Sequence, residues 1–334
     1  MKLLISPAVE PARFSKIEST VAGLGTVVNA ADDAQALAEM ADADAFFGRI
    51  TPALLARGER LRWIQAPTAS MEHYLFPELV EHSAVLTNMR GLFNDCIADQ
   101  VLGYITCFAR NLHLYIRRQT SGRWEPVGGE QTRTGFQFGA GLQTPIDLEH
   151  RQLTGATLGI VGLGGIGAEI AARGVACHMR VVAVDPARTE PVPGMEALWP
   201  INELPCLLSE SDYVVVAAPH TPETAGLFGR AQFQQMKPTA YFINIGRGAI
   251  VRLADLCAAL RAKEIAGAAL DVFEVEPLPP EHPLWQFDNV ILTPHVAGMA
   301  PLIAERHLQV LLDNLRRFAQ GKELLNIVDK RRWY

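Results

Sequence analysis

A chain that reads "TLGIVGLGGIGAEIAA" through residues 157–172 has little freedom in what it can build. An apolar, β-prone run ends in the spacing Gly162-x-Gly164-x-x-Gly167, and an alanine-rich helical pattern opens at once. Glycine triplets alone are common, but strand, loop and helix in that order describe the phosphate-binding turn of a βαβ unit. Gly162 permits the tight turn, Gly164 lets backbone N–H groups approach a pyrophosphate, and Gly167 lets the helix pack closely on the strand. The helix start adds unpaired N–H groups and partial positive charge. The next strand ends at Asp185, where a carboxylate accepts from the ribose hydroxyls of an adenosine and repels a 2′-phosphate. The pattern therefore predicts NAD in preference to NADP, and Arg188 is the neighbour that pulls the other way.

The same alternation continues on both sides of the motif. With "TLGIV", the runs "RVVAV", "YVVVAAP", "AYFINI", "AGAALDV" and "NVILTP" supply six strands, most of them separated by helical segments. That is the pattern of a doubly wound nucleotide-binding domain. The first hundred residues repeat it with "KLLIS", "TVVNA", "DAFFGR", "LRWIQAP" and "AVLTN". Between the two lies "NDCIADQVLGYITCFARNLHLYIRR", residues 94–118, which reads as one long connecting helix. After Pro301 a helical stretch suits a return to the first domain. The expected fold class is thus α/β with two doubly wound parallel-sheet domains. Residues 1–103 plus 301–334 form a discontinuous, flavodoxin-like substrate domain, and residues 104–300 form the cofactor domain. The stretch from Trp124 to Leu153 lacks apolar periodicity and reads as a long arm.

Composition excludes several classes of function. The net charge is −6 and the 30 basic residues are scattered, which disfavours nucleic acid as a partner. No apolar run approaches a membrane span, and the apolar start before Pro7 is too short for a signal segment. The five cysteines contain no C-x-x-C pair and read as reduced thiols of a cytoplasmic protein. The histidines lack metal-ligand spacing, so no metal is expected.

Ligands of open α/β sheets bind beyond the carboxyl ends of the strands, and charged residues stand there. Arg247 lies between two glycines in "YFINIGRGAIV"; Asp271, Glu274 and Glu276 follow a strand in "AALDVFEVEP"; His295 ends "NVILTPH". Arginine's planar fork of donors suits the carboxylate and carbonyl oxygens of a 2-keto acid. A protonated histidine can give its proton to that carbonyl oxygen, and a carboxylate neighbour would favour the charged ring and fix its tautomer. Glu276, before Pro277, is the expected partner. Taken singly, each of these side chains reads as a solvated loop residue; their coincidence at strand ends beside a dinucleotide motif points to catalysis by Arg247, Glu276 and His295.

These residues resemble the D-isomer-specific 2-hydroxyacid dehydrogenase family, which includes phosphoglycerate dehydrogenase and glyoxylate/hydroxypyruvate reductase. The likeness runs from about residue 60 to the end and rests on "GLGGIG", "PHTPETAGLFG", "MKPTAYFINIGRGAIV", "GAALDVFEVEPLP", "HPLW" and "TPHVAG". It implies a Rossmann domain that binds NAD, and NAD-dependent interconversion of a small 2-keto acid and a D-2-hydroxy acid. Arg247 would bind substrate, with His295 as acid/base and Glu276 as its partner. Asp271 would accept from the nicotinamide carboxamide, and Pro219 and His220 would flank the adenosine. The resemblance also brings Gly165, Ile166, Thr224, Ile245, Arg247, His295 and Gly298 into the cofactor-contacting set, and Ser70 and Met71, beside Arg247 and His295, into the substrate-contacting set. A pocket of Met71, Tyr74, Met299 and Leu302 would suit a modestly apolar substrate side chain. Relatives are usually homodimers, and a homodimer is expected here. The sequence departs from the family pattern at Ser70, Asp99 and Ala300. The competing expectation is a non-enzymatic NAD(H)-sensing binding protein of the corepressor type; formate oxidation is disfavoured because that chemistry would pair the histidine with an amide.

Overall fold

The computed structural model describes residues 1–133 and 141–334. The chain divides into two compact units, Met1–Phe93 with Ala300–Tyr334, and Asn94–Met299. Each is built on its own parallel sheet.

The first sheet contains β1 (Lys2–Ser6), β2 (Thr26–Asn29), β3 (Ala45–Gly48), β4 (Trp63–Gln65) and β5 (Val85–Thr87), in the order β2-β1-β3-β4-β5. This is the flavodoxin-like order, with a switch point between β1 and β3. Leu3, Leu4 and Ile5 are all buried, because helices cover both faces and successive side chains alternate between two apolar layers. The second of those layers is completed by the carboxyl-terminal helix Ile303–Ala319, whose Leu308, Leu311 and Leu315 recur at helical spacing and meet Ile17 and Trp63. Buried Asn314 on that helix donates to Gln65 Oε1 at 2.9 Å and accepts from Leu325 N at 2.7 Å. The return of the chain to this unit is thus held by apolar packing and satisfied polar groups.

The second sheet has seven parallel strands: β6 (Thr157–Val161), β7 (Arg180–Val184), β8 (Ala197–Trp199), β9 (Tyr213–Val216), β10 (Tyr241–Asn244), β11 (Gly267–Leu270) and β12 (Val290–Leu292). Their order is β12-β11-β10-β9-β6-β7-β8. The direction of winding reverses between β6 and β9, the crevice where dinucleotides bind in such sheets.

Two expectations need correction. Strand β8 was not anticipated, because "ALW" is a half-buried edge run with one paired neighbour and carries no alternating signal. The stretch 94–118 is two helices, Asn94–Ala109 and Leu112–Thr120, separated at Asn111 with φ of 56°. Asparagine tolerates that left-handed backbone, and its amide donates to Glu149 O at 2.8 Å. The second unit starts at Asn94, so the helix belongs wholly to it. Ala98, Val101 and Ile105 pack there around Leu158, Ile170 and Met179. The expected arm reaches across residues 134–140, which lie outside the described residues; its described parts hold a turn of 3-10 helix at Glu130–Thr132 and a short helix, Pro145–Glu149.

Candidate active site

The carboxyl ends of β6, β9, β10, β11 and β12 lie side by side along one edge of the second sheet, so the loops that leave them are neighbours. At the end of β6, Gly162 has φ of 94° and backbone of the β9 exit, Ala218, where a Cβ would stand at 2.9 Å. Only glycine fits both requirements. The helix Gly165–Ala176 begins without a side-chain cap, and nothing lies within 4 Å of the position a Cβ on Gly164 would take. An open cradle with uncapped N–H groups is what a pyrophosphate requires. These residues fit a dinucleotide.

Asp185 sits where the sequence places it, and its carboxylate already has work. Oδ2 accepts from Leu163 N at 2.7 Å, and Oδ1 accepts from Ala187 N and Arg188 N, both at 2.8 Å. The acid therefore joins the glycine loop to the β7 turn. Arg188 donates to Leu163 O at 2.9 Å and Glu190 O at 2.7 Å, so its guanidinium also lies on the glycine loop. Thr224 closes the turn after β9 by donating to Pro219 O at 2.8 Å and accepting from Thr221 N at 2.8 Å. Pro219 and His220 belong to that turn. Ile245 is buried at the end of β10.

Arg247 follows β10, its Nη1 donating to Gly246 O at 2.8 Å. The next residue explains the Gly-Arg-Gly sequence: a Cβ on Gly248 would overlap the carbonyl carbon and oxygen of Phe273, just beyond β11. Two strand exits are thereby pressed together. Phe273 N in turn donates to Glu276 Oε1 at 2.9 Å, and Glu276 Oε2 stands 2.7 Å from His295 Nδ1. A continuous path of contact joins Arg247, Gly248, Phe273, Glu276 and His295. The imidazole and carboxylate keep 47% and 35% of their side-chain surface exposed, so Nε2 can meet a ligand.

His295 has φ of 53°, a conformation costly for a residue with a Cβ. Asp271 holds it. The Asp271 carbonyl accepts from His295 N at 2.9 Å; its Oδ1 accepts from Val296 N at 3.0 Å and Thr293 Oγ1 at 2.5 Å, and its Oδ2 from Ala297 N at 2.9 Å. Thr293 Oγ1 also contacts the Tyr104 hydroxyl. Because the threonine hydrogen goes to the carboxylate, Tyr104 is the donor in that pair; burial pushes its phenol up, which keeps the hydrogen in place. Asp271 is only 2% exposed. Anchoring the histidine loop is a duty that sequence reasoning missed, and so were the parts of Thr293, Tyr104 and the Phe273 amide. The three-residue spacing of Phe273 and Glu276 was the available signal for the last of these.

In the first unit, the loop after β4 is held by Asn88 Nδ2 donating to Ala69 O at 2.7 Å and Thr68 Oγ1 donating to Ser70 O at 2.9 Å. Ser70 is half-buried there. Met71 is 1% exposed in the apolar layer of the first unit, together with Tyr74. Met299 and Leu302 are exposed. Among the described residues no group of three or more His, Cys, Asp or Glu side chains is placed to hold a metal ion.

Sheet order, glycine cradle and strand-end charges together define a dinucleotide-binding oxidoreductase. Comparison with known proteins narrows the class. The model of the D-isomer specific 2-hydroxyacid dehydrogenase NAD binding domain matches residues 102–297. The chain is 34% identical to a glyoxylate reductase of Aeropyrum pernix over 300 residues, 88% of this chain and 85% of that one. It is 32% identical to glyoxylate/hydroxypyruvate reductase B of Citrobacter koseri over 280 residues, 84% and 82% of the two chains. A crystal structure of a D-isomer specific 2-hydroxyacid dehydrogenase from Xanthobacter autotrophicus, in complex with NADPH and MES, superposes with a TM-score of 0.78 at 28% identity, covering 100% of this chain and 99% of that one. The chain belongs to the D-isomer specific 2-hydroxyacid dehydrogenase family.

Proposed function

We propose that the protein interconverts a small 2-keto acid and a D-2-hydroxy acid, with NAD(H) as coenzyme. The observation that carries this reading is the 2.7 Å contact of His295 Nδ1 with Glu276 at the same sheet edge as Arg247 and the glycine cradle. When bound, the dinucleotide supplies or takes up the hydride. The rest is the work of this chain. Arg247 holds the substrate carboxylate and carbonyl oxygen through its fork of donors. Glu276 keeps Nδ1 as a donor, so Nε2 gives a proton to the carbonyl oxygen in reduction and removes it from the hydroxyl in oxidation. The Ser70 loop of the first unit stays the proposed substrate contact there, and Asp271 keeps one lone pair on Oδ2 for the carboxamide. A homodimer and a cytoplasmic location go with the reading; among the described residues no helix is long and apolar enough to cross a membrane.

Relatives named glyoxylate or hydroxypyruvate reductase favour small keto acids as substrates. NADP(H) is the second coenzyme reading. It is favoured by the position of Arg188 on the glycine loop and by the NADPH held in the Xanthobacter relative. The test is oxidation of NADH and NADPH with glyoxylate, hydroxypyruvate, pyruvate and phenylpyruvate. Turnover is expected with at least one acid, and His295→Ala should abolish it while leaving coenzyme affinity nearly unchanged. No turnover with any acid, alongside tight NADH binding, would favour a binding protein instead.

A further inference from the structure

The glycine loop contains a residue that the turn chemistry does not explain. Gly162 needs its positive φ and Gly164 faces open space, but Gly165 is already the first residue of the helix, where alanine would be a better helix former. A side chain there would meet Asn94. A Cβ on Gly165 would stand 2.5 Å from Asn94 Nδ2 and 3.1 Å from both Oδ1 and Cγ, so the carboxamide lies flat against the start of the dinucleotide helix. Among the described residues that carboxamide has no hydrogen-bonding partner.

Its position is imposed from outside the loop. Arg173, two turns along the dinucleotide helix, donates to Asp99 Oδ1 at 2.9 Å and to Asp95 O at 3.3 Å, while its Nη1 meets Glu169 Oε2 at 2.6 Å. The first turn of the helix Asn94–Ala109 is thereby clamped to the dinucleotide helix. An amide with two N–H donors, fixed beside uncapped backbone N–H groups and left without a protein acceptor, is arranged for an anion.

We propose that Asn94 is a further coenzyme-binding residue, whose amide donates to the pyrophosphate alongside the backbone of the glycine loop. Gly165, lacking a Cβ, leaves room for it in this position. The inference rests on the proposed dinucleotide site.

The test compares the protein with Asn94→Ala and Asn94→Asp by calorimetric titration with NADH and with ADP-ribose. Loss of a hydrogen bond to a charged group should weaken both ligands about tenfold in the alanine variant. The aspartate variant is nearly isosteric and favourable in a first helical turn, so its thermal stability should hold or rise. Its affinity should nevertheless fall below that of the alanine variant, because a carboxylate repels the pyrophosphate. A packing role alone predicts the opposite ranking, with Asp closer to wild type, and would overturn the proposal. So would a loss confined to NADH, which would put the contact on the nicotinamide half, or unchanged affinity in both variants. If the wild-type protein bound neither NADH nor ADP-ribose, the dinucleotide reading itself would fall, and with it the role of Asn94.

Discussion

Replacing Glu276 with glutamine removes one charge and almost no volume, yet the structure makes it a severe change. The carboxylate accepts twice, at Oε1 from Phe273 N (2.9 Å) and at Oε2 from His295 Nδ1 (2.7 Å). A carboxylate has no hydrogen to give, so Nδ1 carries the hydrogen in both charge states of the ring and all proton traffic passes through Nε2. Glutamine offers one acceptor and one donor where two acceptors are needed. The Phe273 N–H is a fixed backbone donor and claims the amide oxygen. The amide NH2 then faces Nδ1, which must accept, and the neutral ring is held with its hydrogen on Nε2. In that tautomer the ring cannot take a proton from a hydroxy acid, and the imidazolium needed for reduction would set two donors against each other. A wrong tautomer in a Ser-His-Asp triad lowers kcat about 10⁴-fold, and general acid–base catalysis as a whole is worth about 10²–10⁴. Because the pair is half-exposed, water can partly substitute, which places the expected loss near ~10³ in kcat/KM, or about 4 kcal/mol. Initial rates in both directions, followed by NADH absorbance, measure the loss, and NADH affinity should change less than about twofold because the glycine loop is untouched. A variant that keeps more than about a tenth of wild-type kcat/KM in either direction would refute the tautomer argument.

Three further outcomes follow from the same structure. Gly248→Ala should lower kcat with little effect on NADH affinity, since its Cβ must displace the Phe273 carbonyl and with it the turn that seats Glu276; a shift near 1 Å is worth about 10²-fold, and unchanged kcat would contradict the close-contact account. Asp185→Ser should shift the ratio of NADH to NADPH affinity toward NADPH by about tenfold or more, read by paired titrations, because the repelling carboxylate is gone while Arg188 stays. Burial pushes His113 and His307 below the ordinary histidine value, so the folded protein keeps them neutral where the unfolded chain would take up protons. Their contribution is fully present above that ordinary value and is lost as pH falls through it, with a slope no steeper than about 1.4 kcal/mol per pH unit per histidine. Melting temperature should therefore fall with pH below about 6.5, and a His113→Phe, His307→Gln double variant should show a shallower fall.

Legibility in the sequence followed the physics of each element. Buried parallel strands are continuous apolar runs with helices between them, so "KLLIS", "TLGIV" and "YVVVAAP" were readable without partners. The edge strand β8 has one neighbour and half-buried side chains, and nothing in "ALW" announces it. Asn111 interrupts a perfectly periodic helix, because the left-handed residue is paid back by a tertiary bond to Glu149 that periodicity does not register. The pairing of His295 with Glu276 was anticipated from charge and position. Asp271 was anticipated only as a ligand contact, since the partners that hold it in the fold are backbone N–H groups, which look the same in every sequence.

That blind spot bears on how the site works. The histidine is not carried by its strand, since β12 ends at Leu292 and the chain then turns through a left-handed residue at 295. Such a conformation persists only where the surroundings over-determine it, at a cost of order 1–3 kcal/mol. Here the six residues Asp271–Glu276 do so from one neighbouring loop: Asp271 gathers the N–H groups of 295, 296 and 297, and Glu276, tied back to Phe273, orients the ring. The β11 exit is in turn pressed against Gly248, beside Arg247. One loop thus sets the backbone of His295 and the tautomer of its ring, and presses on the backbone beside Arg247. The conformation of the β12 exit accordingly depends on residues of the β11 exit, including buried groups such as Asp271.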